Sequence, residues 1–269
     1  MMKSLTTPKN RLHISHWGGT GRPILLVHGL AGSVSWWDKV CPLLKDDFEV
    51  AALDLSGHGD SAWSKDGQYA MDLFLSNIDE AREFLNWKKF ILVGHSLGAR
   101  ISVEYASREK SPLEGLIAID FMPRVKESSP RFSRLAGLRQ PVFSNEEAMI
   151  SRFHLQPRET NLSEEEMREL AKNLIRPWKN GFSWKCDWRA FLIRYESVWP
   201  LLPRIQTPSL IVRGQLSPIM DREDIKKVCQ ETLRSECLEI PGAYHHVPLD
   251  APEATAKAIL DFAQKLVSL

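Results

Sequence analysis

Residues 92–98 read L-V-G-H-S-L-G, and the fold turns on what this stretch is. The apolar run F-I-L-V (Phe90–Val93) enters it, and L-G-A-R-I-S-V-E-Y-A-S-R (Leu97–Arg108) leaves it with the spacing of a helix. Gly94 and Gly98 straddle His95, Ser96 and Leu97, as expected where strand and helix must approach more closely than side chains allow. A serine on so tight a strand-to-helix turn takes an uncommon backbone conformation that lifts its hydroxyl above the sheet. The helix N-terminus beneath it offers amide N–H groups and partial positive charge to a developing anion. The strain exposes a nucleophile.

Working outward, short aliphatic runs alternate with amphipathic ones. Ile24–Val27, Val50–Leu53, Phe90–Val93, Leu116–Ile119, Leu210–Val212 and Cys237–Ile240 read as strands buried on both faces. Ser35–Leu44, Ala70–Leu85, Leu97–Arg108, Arg222–Glu231 and Pro252–Leu266 read as helices. Such alternation predicts an α/β fold, a mostly parallel central sheet with helices on both faces. Leu12–Trp17 is expected to add an antiparallel edge strand. The alternation stops between Phe121 and Gln206, too long a gap for an ordinary loop. The expected organisation is a core of 1–120 and 207–269 with a helical cap or lid at 121–206. Such an insertion lies over the C-terminal sheet edge, where open α/β sheets bind ligands.

Composition narrows the chemistry. Lys and Arg number 35 against 34 Asp and Glu, so no strong field draws nucleic acid or an anionic membrane. No apolar run approaches the roughly 20 residues of a membrane-spanning helix, and the opening M-M-K-S-L-T-T-P-K-N lacks a signal-peptide core. Cys41, Cys186, Cys229 and Cys237 lack metal-type spacing. They are expected to be reduced, small hydrophobes in a cytoplasmic protein. No metal site and no cofactor is expected, and the oligomeric state is not legible.

Four pieces carry a family resemblance: L-V-H-G-L-A-G-S at 26–33, D-L-S-G-H-G-D-S at 54–61, G-H-S-L-G at 94–98, and P-G-A-Y-H-H-V-P-L-D-A-P-E at 241–253. In this order the chain resembles the α/β-hydrolase superfamily over nearly its whole length, as a serine esterase-like member with a lid insertion. The resemblance implies Ser96 as nucleophile, a histidine near the C-terminus as base, and an oxyanion hole from the backbone amides of Leu30 and Leu97. A serine hydroxyl needs such a base to take its proton, and the base needs a carboxylate to hold its tautomer. In relatives the base commonly stands seven residues before the proline of a Pro-Glu pair. Pro252-Glu253 puts that position at His245, leaving His246 to shape the pocket.

The acid departs from the majority pattern, which places it shortly after the L-I-V strand. Here that loop reads R-G-Q-L-S-P-I-M-D, with Ser217 and Pro218 at the expected positions. Asp120, at the tip of the strand L-I-A-I, is the preferred acid, as in a subset of serine hydrolases of this fold. Asp221 is the alternative, with helix capping as its ordinary role. Asp54 reads as part of a structural turn. Candidate pocket residues are Trp36, Trp37, His95, Arg124, Trp184, Trp188 and His246, with Arg124 a candidate anchor for a charged substrate group.

The expected reaction is hydrolysis of a carboxylic ester or thioester, a small-molecule substrate, through an acyl-Ser96 intermediate. A serine rather than an aspartate at the elbow speaks against epoxide or haloalkane chemistry. The alternatives are C–C bond hydrolysis, lactone opening, cofactor-free peroxidase activity, or a ligand-binding receptor on a hydrolase scaffold.

Overall fold

A computed structural model describes residues 2–124, 134, 137–194 and 196–266. Its centre is an eight-stranded sheet in the order β1-β2-β4-β3-β5-β6-β9-β10. The strands are β1 (Lys3–Thr6), β2 (His13–Gly18), β3 (Arg22–Val27), β4 (Phe48–Leu53), β5 (Phe90–His95), β6 (Leu113–Ile119), β9 (Ser209–Gly214) and β10 (Ser235–Ile240). From β4 to β10 every neighbouring pair is parallel, while β2 runs antiparallel to both β1 and β4. The Leu12–Trp17 segment is therefore β2, one place in from the edge, and β1 is the edge strand. Nothing in the polar text K-S-L-T of β1 signals a strand; pairing with β2 makes it one.

Two apolar layers enclose the sheet. One gathers Leu25, Val27, Leu53, Leu92 and Tyr105 with α2 (Met71–Phe84) and α3 (Leu97–Ala106). The other gathers Ile24, Leu26, Ile91, Val93 and Ile117 with α7 (Val247–Asp250) and α8 (Pro252–Lys265). Alternate residues of one strand thus face opposite layers, which is why the inner strands read as continuous apolar runs. β10 departs from that expectation: Glu236 and Cys237 are exposed, because it closes the sheet and has one neighbour.

The helix expected over Ser35–Leu44 divides into a 3₁₀ turn, Val34–Trp37, and α1, Cys41–Leu44. Ser33 caps the first, and Pro42 stands in the opening turn of the second, where no intrahelical partner for its missing N–H is needed. The cysteine expectation also changes. Cys229, in α6 (Arg222–Glu231), and Cys237, in β10, are joined by a disulfide, since the turn between them brings their Cα atoms to 6.3 Å. Cys41 and Cys186 are free and buried, as small hydrophobes would be.

Between β6 and β9 the described residues are not purely helical. They hold α4 (Glu146–Ile150), α5 (Glu164–Asn173), a hairpin of β7 (Ile175–Trp178) and β8 (Gly181–Trp184), and 3₁₀ turns. Ser163 and Glu166 form a reciprocal capping box at the start of α5. The hairpin escapes notice in the sequence because I-R-P-W and G-F-S-W, on either side of Lys179-Asn180, are only four residues each and carry a proline and a glycine. Among the described residues, no helix is long and apolar enough to cross a membrane.

Candidate active site

The central strand β5 delivers Ser96 directly into α3. Ser96 has φ 54° and ψ −112°, outside the regions open to an ordinary L-residue. The flanking glycines make this turn fit. A Cβ on Gly94 would stand 2.3 Å from the carbonyl oxygen of Gly98, and one on Gly98 would stand 2.4 Å from that of Val27. The Ser96 amide donates to Ile119 O on the adjacent strand at 2.9 Å, which ties the turn to the tip of β6.

Asp120 follows at that tip, also in the left-handed region, with φ 44°. Its amide donates to Val212 O at 2.7 Å, and its Oδ2 accepts from the Gly214 amide at 2.8 Å, so β9 grips it from both sides. Oδ1 accepts from the Ser217 hydroxyl at 2.6 Å and faces His245 Nδ1 at 2.7 Å. His245 lies in the loop after β10, and its Nε2 is 3.0 Å from Ser96 Oγ. The three side chains form one hydrogen-bonded row, with Asp120 fully buried and His245 only 4% exposed. Sequence reading missed Ser217 as a partner: its place in the loop that usually carries the acid was the available signal.

His95 and His246 complete the cluster. His95 Nε2 donates to the His245 carbonyl at 2.8 Å, which steadies the histidine loop from below. Burial, then the neighbouring imidazoles His245 and His246, hold the His95 pKa well below its ordinary value. His246 Nε2 donates to Pro157 O at 2.9 Å. Burial, reinforced by His245, lowers the His246 pKa to about 3. The inserted segment also clasps this loop: Thr160 and Asn161 donate to Asp250, whose other oxygen accepts from the Tyr244 amide.

The remaining candidates separate. Trp36 sets its edge toward His246 with ring centroids 6.4 Å apart. Trp37 is wholly buried in the core beneath and packs instead of lining a pocket. Trp188 packs with Cys186 and Phe191 against Leu30 and Ala31, beside the glycine loop that faces Ser96. Trp184 lies with Phe143 and Phe153. Leu97 is the first residue of α3, so its amide is among those without an intrahelical acceptor. Gly29 brings the preceding loop against the serine: a Cβ there would stand 3.1 Å from Ser96 Cβ.

Two candidates lie apart from the hydrogen-bonded row. Arg124 is paired with Asp224 and lies 3.7 Å from Asp221, more than half exposed, so its charge is spent at the start of α6. Asp221 caps that helix by accepting from the Asp224 amide at 2.7 Å, and its side chain is 60% exposed. It belongs to the helix end, while Asp120 makes the contact with His245. Asp54 holds its turn, accepting from the amides of Val34 and Asp60 and facing His13 Nδ1 at 2.7 Å.

A central parallel sheet, a strained serine between strand and helix, and a histidine loop beyond the last strand define the class, a hydrolase built on an α/β sheet. Residues 22–252 match the family model described as alpha/beta hydrolase fold, and the chain belongs to that family. It is similar to a serine hydrolase-like protein of Danio rerio, 25% identical, over 97% of this chain and 87% of that protein. The crystal structure of E-2-(acetamidomethylene)succinate hydrolase superposes with a TM-score of 0.82 at 26% identity, covering 98% of this chain and all of the other. A thioesterase domain from the curacin biosynthetic pathway superposes at 0.78, also 26% identical, covering 97% and 99%.

Proposed function

We propose that the protein is a serine hydrolase that cleaves small carboxylic esters or thioesters through an acyl-Ser96 intermediate. The observation that carries this reading is the unbroken row Ser96 Oγ–His245 Nε2 and His245 Nδ1–Asp120 Oδ1. In the first half-reaction His245 Nε2 takes the Ser96 proton as Oγ attacks the acyl carbon, and the proton then passes to the departing alkoxide or thiolate. In the second, water attacks the acyl-serine and His245 again takes and returns one proton. Asp120 keeps Nδ1 protonated and stabilises the imidazolium formed in each half.

The amides of Leu30 and Leu97 are the proposed donors to the tetrahedral oxyanion, each worth on the order of 3 kcal/mol of barrier. Trp36, Trp188 and His246 are the proposed walls of the acyl pocket, and the segment 121–206 is its proposed cap. The likeness to the 26%-identical thioesterase domain supports the acyl-transfer class.

A fluorophosphonate probe tests this reading. The expected result is one adduct on the peptide carrying Ser96, lost in Ser96→Ala, followed by turnover in a graded series of acyl esters and thioesters. A folded protein that takes no adduct overturns it.

A further inference from the structure

Three imidazoles meet beside Ser96, and their hydrogen bonds decide which nitrogen of each carries a free lone pair. His95 Nε2 faces the His245 carbonyl at 2.8 Å, and His246 Nε2 faces the Pro157 carbonyl at 2.9 Å. A carbonyl only accepts, so both Nε2 atoms carry the proton and both Nδ1 atoms carry the lone pair. Those two Nδ1 atoms are buried and have no hydrogen-bond partner among the described residues. The residues are 1% and 4% exposed. His245 donates from Nδ1 to Asp120, which leaves its Nε2 lone pair on the Ser96 side.

The rings are close enough to act together. One nitrogen of each lies within 4.8 Å of the others, and the ring centroids are 4.9, 5.0 and 6.0 Å apart. Gly29 keeps the approach open, since a Cβ there would stand 3.2 Å from His95 Nδ1 and 3.1 Å from Ser96 Cβ. Ser96 itself is partly exposed beside the three buried rings. Each ring is held from behind by a carbonyl or carboxylate, the arrangement by which proteins orient metal-ligating histidines.

We propose that His95 Nδ1, His246 Nδ1 and His245 Nε2 bind one zinc-class divalent ion, with Ser96 Oγ or water as fourth ligand, and that its occupancy switches the serine off. Neutral imidazoles suit zinc, cobalt, nickel and copper, whereas magnesium and calcium need oxygen ligands. A tetrahedral site with Zn–N bonds of about 2.0–2.1 Å needs nitrogens about 3.3 Å apart, so the rings would draw closer on binding. The ion would occupy the lone pair that takes the Ser96 proton. Binding stands on the three rings alone; the inhibitory consequence rests on the function proposed above.

The test is a Co²⁺ titration of chelator-treated protein, followed through the visible ligand-field bands of a tetrahedral site. Expected is one ion per chain in wild type and in Ser96→Ala, which keeps all three nitrogens. His95→Ala and His246→Ala should each weaken binding by at least about 10–100-fold, with thermal melts confirming that they fold. Absence of saturable bands in wild type, or wild-type titrations in both histidine variants, overturns the site. In parallel, Zn²⁺ at ten times its dissociation constant should slow fluorophosphonate labelling about tenfold. Unchanged labelling by a metal-loaded protein overturns the switch. Failure of metal-free protein to label at all overturns the proposed function, and the cobalt titration still decides the site.

Discussion

The Ser217 hydroxyl donates to Asp120 Oδ1 at 2.6 Å, joining two residues 97 positions apart on neighbouring strand ends. Ser217 occupies the loop after β9 and Asp120 the tip of β6, so the loop that lacks an acid supports the acid next door. The same Oδ1 meets His245 Nδ1 at 2.7 Å. Ser217→Ala should therefore leave the row intact but looser, lowering kcat by up to about tenfold, the scale of a single lost hydrogen bond. Steady-state kinetics with a good ester substrate check this.

The two acids should separate cleanly. Asp120→Asn is expected to lower kcat by about 10⁴-fold, because an amide cannot hold the imidazole in the required tautomer. Asp221→Asn should leave kcat unchanged, and asparagine is an equally good helix cap. The opposite ranking would return the acid to the conventional loop. A stronger form follows from Ser217: adding Ser217→Asp to Asp120→Asn should recover part of the lost rate, because the new carboxylate starts within hydrogen-bond distance of the old one.

Ser96 trades stability for exposure of its hydroxyl. Ser96→Ala should abolish turnover, by about 10⁴-fold or more, without changing the fold. Ser96→Gly should be equally inactive yet more stable than Ser96→Ala by about 1 kcal/mol, because glycine accepts the φ of 54° without strain. Urea titrations of the two variants provide the comparison; equal midpoints would show that the turn stores no strain.

The elbow glycines should tolerate no side chain. A Cβ on Gly98 would meet backbone oxygens of both Val27 and His28. Gly98→Ala is expected to cost about 1–3 kcal/mol through forced separation of α3 from β3, and to reduce fluorophosphonate labelling because Ser96 moves with the helix. Differential scanning calorimetry and labelling rates read the two effects separately.

Acid should unfold the protein through its buried imidazoles. Burial is the main cause that lowers the pKa of His28, His58, His95 and His246, with His58 and His246 reaching about 3. These rings stay neutral when folded and take protons when unfolded. Their contribution is complete above the ordinary histidine value of about 6.5 and is lost as pH falls below it, toward about 3 for His58 and His246. His58 and His246 each add about 1.4 kcal/mol per pH unit to the slope of stability in that window. His58→Gln should flatten the slope by about that amount, measured as urea midpoints between pH 6 and pH 4. His13 does not join them: burial lowers its pKa, but the hydrogen bond and charge of Asp54 outweigh that and raise it.

Much of this was written locally. Strand, turn and helix around Ser96 were legible because steric demands at Gly94 and Gly98 act within a few residues, and the apolar runs of β3 to β6 reveal burial on two faces wherever they lie. His245 was legible through its spacing from Pro252-Glu253. Partnership was different. That Asp120 and not Asp221 meets His245, that Arg124 turns to Asp224, and that Trp37 sinks into the core while Trp36 faces His246 all depend on strand order and on which end of a helix comes near. The sequence by itself determined the parallel sheet and the strained serine, since each follows from short-range sterics or burial pattern, while the histidine was indicated by the family resemblance. Only the tertiary structure decided that Asp120 meets His245, that Ser217 supports it and that three imidazoles meet. Those contacts span up to 150 residues, and a hydrogen bond depends on the final approach of two atoms, which no local pattern encodes.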